Sequence, residues 1–190
     1  MTQDEDLFWI DQILEGNTQV FGRLVSKYED FVFTIALRVL HHRNDAEDVA
    51  MEVFMKVYQG LGKFNRKAGF STWLYRIAYN TSISEFRKRN KRQIETADVK
   101  WLNQNAAMII DEESDETETD EQRLLMAMRS LSPDENALLT LYYTNNLSVE
   151  QISGIVGIST SNVKIRLFRT RKKLEGMMQM EEQINHTTNP

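Results

Sequence analysis

The sequence predicts an all-α protein of two small helical domains, and three observations carry that expectation. Across 190 residues there are only two prolines, Pro133 and Pro190, and eight glycines, so long intervals run without a chain breaker. Within those intervals apolar residues recur three and four apart, the period of a helix rather than a strand. Between the two periodic stretches lies DEESDETETDE at 111–121, a hydrated charge run that cannot enter a core without neutralisation. The chain therefore divides into a domain at 1–92, an acidic flexible linker at 93–129, a domain at 130–178 and a tail at 179–190.

Length and composition exclude several function classes. At 22.2 kDa there is no room for a large catalytic barrel, while 41% hydrophobic residues argue against disorder throughout. The chain has no cysteine, hence no disulfide framework, thiolate nucleophile or cysteine-based zinc site, and its three histidines, His41, His42 and His186, offer little to a metal. Lack of cysteine fits a reducing cytosol without demanding it. The acidic start MTQDEDLFW precedes no signal-like block, and no stretch approaches eighteen apolar residues. A soluble, unexported chain with no membrane insertion is expected. Its glycines form no Walker loop and no HExxH pair occurs, so neither an enzyme nor a bound cofactor is expected.

Net charge is −5, yet the charges are segregated. Lys63, Arg66, Lys67, Arg76, Arg87, Lys88, Arg89, Lys91 and Arg92 face a single acid, Glu85, within 61–92. Lys164, Arg166, Arg169, Arg171, Lys172 and Lys173 crowd 161–175, with the acidic run between the two basic blocks. Such a pattern suits two nucleic-acid contacts on a self-repelling tether. Charge alone fits two ordinary solvated helix faces as well.

Leu7, Ile10 and Leu14 mark a first helix that ends near Gly16. Thr18 is a candidate cap for the next, whose stripe runs from Val20 and Phe21 through Leu24, Val25, Tyr28, Phe31, Val32 and Ile35 to Val39. After His41 and His42 break the period, Asp45 is placed to cap a third helix with Val49, Val53, Phe54 and Val57 on its apolar side. Met51, Met55 and Tyr58 widen the surface it offers another protein, although methionine at helical spacing is also ordinary core filling.

Gly60 and Gly62 open a loop through Gly69, and Ser71 or Thr72 starts a fourth helix. Leu74, Ile77, Ala78 and Thr81 share one side of it, Asn80, Ser84 and Arg87 another near Arg76, and Tyr75, Tyr79 and Phe86 a third. Aromatic rings interleaved with cations behind a glycine-bearing loop are what stacking on unpaired bases requires. Phe70, Trp73 and Tyr79 would serve equally as core.

The second domain carries the sharpest local signals. Ser132, Pro133, Asp134 and Glu135 make a cap, a proline at the first helical position and an acidic first turn. Asn145 and Asn146 suit a turn, Ser148 caps a short helix through Val156, and Gly157 ends it. TSNVKIRLFRTRKKL (160–174) then completes a helix-turn-helix. In its second helix Val163, Leu167, Thr170 and Leu174 cluster inward, while Ser161, Ile165, Phe168 and Lys172 face out. Thr160, Ser161, Asn162 and Lys164 lie where base edges are reached, and Arg166, Arg169, Arg171, Lys172 and Lys173 where phosphates are neutralised. Apolar Phe168 on the outer face suits a thymine methyl or the preceding helix.

Three blocks in order, DAEDVAMEVFMKVY (45–58), FSTWLYRIAYNTSISEFRKR (70–89) and LSVEQISGIVGISTSNVKIRLFRTRKKL (147–174), make the chain resemble an extracytoplasmic-function sigma factor of the sigma-70 family. The likeness covers roughly 21–92 and 130–174. It implies a bacterial protein that binds core RNA polymerase and directs promoter-specific transcription initiation from the cytoplasm.

By this resemblance the first domain is the region 2-like unit and the second the region 4-like unit. Asp45, Asp48, Glu52, Val53, Met55 and Lys56 would meet the clamp-helix coiled coil of the large polymerase subunit. Phe64, Phe70, Trp73, Arg76, Tyr79, Asn80, Ser84, Arg87 and Lys88 would open the minus-ten element and hold an unpaired base. Thr160, Ser161, Asn162, Lys164, Ile165, Arg166, Phe168, Arg169 and Lys172 would read the minus-thirty-five element. Members of the family are often held inactive by an anti-sigma protein, commonly membrane-attached, and such a partner is implied here too.

Two positions depart from the family's habit. Ser84 stands where an aspartate is common, and Ser153 with Gly154 replaces an alanine-bearing helix middle. Competing readings are a DNA-binding regulator that uses only the helix-turn-helix, which would bind its site alone and often as a dimer, a nucleic-acid enzyme, for which no reactive constellation stands out, and a structural adaptor, which leaves both basic blocks unused.

Overall fold

A computed structural model describes residues 3–96 and 120–188, and among these every regular element is helical. The expected linker is shortened from both sides: the fourth helix runs to Thr96, and a further helix begins at Asp120. What remains of that expectation, with Trp101, Met108, Ile109 and Ile110, lies outside the described residues.

The first domain consists of α1 (Gln3–Leu14), a short 3-10 turn (Thr18–Val20), α2 (Phe21–Leu40), α3 (Arg43–Gly60), a second 3-10 turn (Leu61–Lys63) and α4 (Phe70–Thr96). Ile10 and Ile13 are the buried apolar residues of α1, whereas Leu14, on the stripe that marks the helix in sequence, is half exposed. Instead of an apolar seam alone, a polar knot seats this helix. Asp6 is buried, accepts a 2.6 Å hydrogen bond from the Tyr28 hydroxyl and pairs with Lys27 of α2. Burial, reinforced by Asp6, pushes the Tyr28 phenol far above its ordinary value.

Two expected caps are corrected. Thr18 lies in the 3-10 turn, and no side chain caps α2. The α2–α3 corner is made by the histidines: His41 adopts a left-handed φ of 54° and closes α2 onto Leu37 O, while His42 accepts at Nδ1 from Asp45 N. The helix thus starts two residues ahead of Asp45, which pairs instead with Arg89 on α4. Gly60, expected to open a loop, ends α3. A side chain there would press within 3.2 Å of the Trp73 indole, so its absence lets α4 approach.

In the second domain, α5 (Asp120–Arg129) precedes α6 (Pro133–Leu139), which widens into a π turn (Thr140–Thr144) before α7 (Val149–Val156) and α8 (Thr160–Thr188). Capping boxes open α6 (Ser132 with Glu135) and α7 (Ser148 with Gln151), as their sequences predict. Gly157, at φ 77°, turns the chain into α8, whose first turn is held by Ser159 Oγ accepting from Asn162 N. Ser153 earns its departure from alanine here: its hydroxyl donates to Ile158 O across the turn between the two motif helices. The tail expected at 179–190 is helical as far as Thr188.

The two domains touch. α2 packs on α6 and its π turn, and α4 packs on α7 and α6, so buried residues of both domains form one continuous cluster.

Candidate nucleic-acid and partner interfaces

On α8 the inner side is Val163, Leu167 and Thr170, all buried, with Leu174 partly so. That stripe fixes the opposite face outward. Ser161, Asn162, Lys164, Ile165, Arg166, Phe168, Arg169 and Lys172 are exposed, and Thr160 is half-buried at the helix start. Phe168 is 56% exposed with the Lys172 ammonium 5.6 Å from its ring centre, so it packs against no preceding helix. Among the described residues Lys164, Arg166, Arg169, Arg171 and Lys172 have no ion-pair partner, whereas Lys173 bonds Glu135 at 2.9 Å. Lys173 is thereby drawn from the phosphate-facing set into the fold. Burial pushes the Glu135 carboxyl up, but bonds from the Ser132 N–H, Lys173 and the Ser132 hydroxyl outweigh it and hold the group below its ordinary value.

α4 divides as its spacing predicts, with different consequences for its aromatic residues. Arg76, Asn80, Ser84, Arg87 and Lys88 form an exposed polar ridge, on which Lys88 pairs with Glu85 at 3.3 Å. Phe64 and Phe70, expected at the melted strand, are buried, with ring centres 5.8 Å apart. Tyr79 is only 7% exposed and donates its hydroxyl to Asp134 of α6. Tyr75 lies 3.8 Å, centre to centre, from Phe31 and meets Asn145. These rings are core or domain joint in this arrangement, and the expectation that they present faces to bases is corrected. Trp73, half-buried against Phe64 and Phe70, is the ring of that expected set that keeps an edge toward solvent.

The loop between Phe64 and Phe70 is pinned at both ends by those buried rings. Arg66 at its tip pairs with Asp11 of α1, and Asn65 Oδ1 accepts from Lys67 N.

A third surface lies between α2 and α3. Phe21, Val25, Ala50, Met51, Phe54, Met55 and Tyr58 line an open apolar groove of about 810 Å³. Met51 and Met55 are 60% and 61% exposed, and Phe21 meets Tyr58 edge-on at 5.0 Å. Asp48 and Glu52 are exposed, and Lys56 pairs with Glu52 at 2.7 Å. Val53, expected at this surface, is fully buried, and Asp45 is engaged by Arg89. Met51, Met55 and Tyr58 are visible in the sequence as surface that α3 offers a partner, with Phe54 assigned to its core side. That α2 supplies the opposite wall through Phe21 and Val25 is a tertiary fact no local period carries.

This arrangement has relatives. The family model Sigma-70 region 2 matches residues 24–92, and Sigma-70, region 4 matches residues 121–174. The chain is 30% identical over 187 residues to the RNA polymerase sigma-H factor of Pseudomonas aeruginosa, covering 94% of this chain and 96% of that protein. It is 30% identical over 177 residues to the ECF RNA polymerase sigma factor SigW of Bacillus subtilis, covering 87% and 92%. Two solved structures share the fold. CnrH in complex with the cytosolic domain of CnrY superposes with a TM-score of 0.65 at 21% identity, over 91% of this chain and 96% of that one. The sigma factor RpoE in complex with the anti-sigma factor NepR from Bartonella quintana gives 0.64 at 20%, over 84% and 96%.

Proposed function

The chain belongs to the extracytoplasmic-function group of the sigma-70 family, and from that premise we propose which of its surfaces do the work. It is a transcription initiation factor that acts by binding, with core RNA polymerase and promoter DNA as partners.

The observation that carries the residue assignment is the outer face of α8. Exposed polar residues at its N-terminal turns are followed by cations with no ion-pair partner among the described residues, and a buried stripe holds this face outward. Placed in a major groove, Ser161, Asn162 and Lys164 reach base edges of the minus-thirty-five element, while Arg166, Arg169 and Lys172 neutralise phosphates.

The α4 ridge of Arg76, Asn80, Ser84, Arg87 and Lys88, with Trp73 beside it, takes the minus-ten element and holds one strand as it opens. Unstacking is offset by capture of a base, a step that needs no ATP from this protein. The α2–α3 groove, with Asp48 and Glu52 at its flank, docks on the polymerase clamp helices. Apolar surface supplies affinity there and the acids supply register.

Region 2 work thus falls to the first domain and region 4 work to the second. The cytoplasm, where polymerase acts, is the proposed compartment; no described helix is long and apolar enough to cross a membrane. An anti-sigma protein that covers these surfaces is the proposed regulator, supported by the anti-sigma partner in one of the similar structures.

Run-off transcription from a supercoiled promoter with purified core enzyme tests this reading. Transcripts from defined starts should appear when core and this protein are both present. The double change Arg166→Ala with Arg169→Ala should lower initiation on every promoter. Defined starts with core alone, or none with the pair, would reject the assignment.

A further inference from the structure

α1 holds the rest of the first domain with two different carboxylates. Asp6, buried, anchors the helix on Tyr28 and Lys27 of α2. Asp11, about 140° further round the helix axis, reaches instead to the loop that precedes α4. Arg66 at the tip of that loop donates from both Nη atoms to the two oxygens of Asp11, with Nη1 3.4 Å from Oδ2. A forked pair of this kind fixes direction as well as distance. Beside it, a side chain on Gly62 would stand 4.0 Å from Leu14, so α1 runs alongside the 3-10 turn that leads into the loop.

The loop has little else to hold its shape. Residues 65–68 are exposed, and Arg66 takes a left-handed φ of 57°, which is unfavourable for a long L side chain. One local bond, from Lys67 N to Asn65 Oδ1, supports that turn. Among the described residues the Arg66–Asp11 pair is the side-chain bond that ties positions 65–69 to another element. The buried ends of the loop, Phe64 and Phe70, are the rings on which Trp73 rests, at 5.2 and 5.9 Å between centres. The loop therefore stands beside Trp73, where the α4 surface assigned above to the opening strand begins.

We propose that Asp11 is a positioning residue for strand capture: through Arg66 it braces the 65–69 loop in the shape that receives a base unstacked from the minus-ten element. The inference rests on the sigma-factor reading and adds to it a residue of α1, outside the stretch matched by the region 2 family model. Charge gives the first reason. A carboxylate repels phosphate, so Asp11 serves a DNA-opening surface by holding a cation rather than by touching the strand. Pre-organisation gives the second. A loop that had to be ordered at the moment of capture would subtract that ordering from the binding of the base. The two side chains are 44% and 47% exposed, so the pair adds little to stability and acts on the shape of the loop. Asp6 keeps α1 seated when Asp11 is changed.

Full-length Asp11→Ala is compared with the unaltered protein and with the charge exchange Asp11→Arg, Arg66→Asp, each with core polymerase on supercoiled promoters that differ in the minus-ten element. Aspartate tolerates the left-handed backbone at position 66, so the exchange can rebuild the pair in reverse. Asp11→Ala should keep its melting curve, its affinity for core and its minus-thirty-five preference. It should form about tenfold fewer open complexes on the preferred minus-ten element and discriminate less between that element and its variants. The exchange should restore both to within about twofold of the unaltered protein, and Asp11→Arg alone should not. Unchanged opening by Asp11→Ala, increased opening because Arg66 is freed for phosphate, an equal loss of core binding, or an exchange that restores nothing would each overturn the inference and leave the sigma-factor reading intact. Failure of the unaltered protein to initiate with core would instead remove that reading and this inference with it.

Discussion

The Tyr79 hydroxyl on α4 donates to the Asp134 carboxylate on α6, joining a residue expected to face unpaired bases to the first turn of the other domain. Burial and Asp134 together raise the phenol above its ordinary value. On the opposite side of the pH scale stands His41. Burial first, then Arg129 and Arg38, lower its ring below the ordinary value.

Mild acid should therefore loosen the joint. The groups facing His41 are Arg38 on its own helix, Arg129 on α5 and the Asn136 amide on α6, which meets the unprotonated Nε2. A lowered imidazole contributes stability above its unfolded pKa of about 6.5 and loses it as pH falls through the folded value. Scattering should give a compact chain at neutral pH and a larger radius of gyration near pH 5. Replacement of His41 by Gln should flatten that response; an unchanged radius across this range would count against it.

Removal of the Asp6 carboxylate should cost the first domain about 3 kcal/mol, because the mostly buried Lys27 ammonium is left with Glu5 at 3.8 Å as its remaining carboxylate. Tyr28→Phe deletes one hydrogen bond and should cost about 1 kcal/mol. Denaturant titration of Asp6→Ala and Tyr28→Phe gives both values, and equal losses would show that the ion pair adds nothing beyond the phenol bond.

Exposure separates function from folding on α3. Met51→Glu or Met55→Glu should leave the melting curve in place and weaken core-polymerase binding roughly 30-fold, the equivalent of about 2 kcal/mol of lost apolar contact. Val53→Ala, midway between the two methionines in sequence yet fully buried, should do the reverse. It should cost about 2 kcal/mol of stability with little loss of affinity in the folded fraction.

On α8, Arg166→Ala and Arg169→Ala should each reduce the salt slope of holoenzyme binding by about 0.9 and weaken all promoters alike. Ser161→Ala or Lys164→Ala should instead change which upstream bases are preferred. Titrations at several salt concentrations against a panel of minus-thirty-five variants distinguish the two patterns.

Local chemistry made the second domain legible. Both capping boxes, the Gly157 turn and the inner stripe of α8 follow from interactions spanning three to seven residues, and the sequence carries such interactions intact. The first domain resisted at its corners. Asp45 is a sound cap by type, but Arg89, forty-four positions away, competes for its carboxylate, and the histidines before it make the corner instead. The aromatic residues of α4 show the same limit. Their spacing assigns Tyr75 and Tyr79 to a common side, yet whether that side meets bases, core or another domain depends on α6 and α7, far along the chain. Ser153 was visible as a departure, and its bond to Ile158 became visible only once the turn was folded.

Footprinting of core polymerase with this protein on a supercoiled promoter, combined with permanganate probing of thymines, tests the two-surface mechanism most directly. Protection should cover both the minus-thirty-five and minus-ten elements, with reactive thymines confined to the latter and neither signal present without core. Protection of a single symmetric site by the protein alone, with no strand opening when core is added, would contradict it.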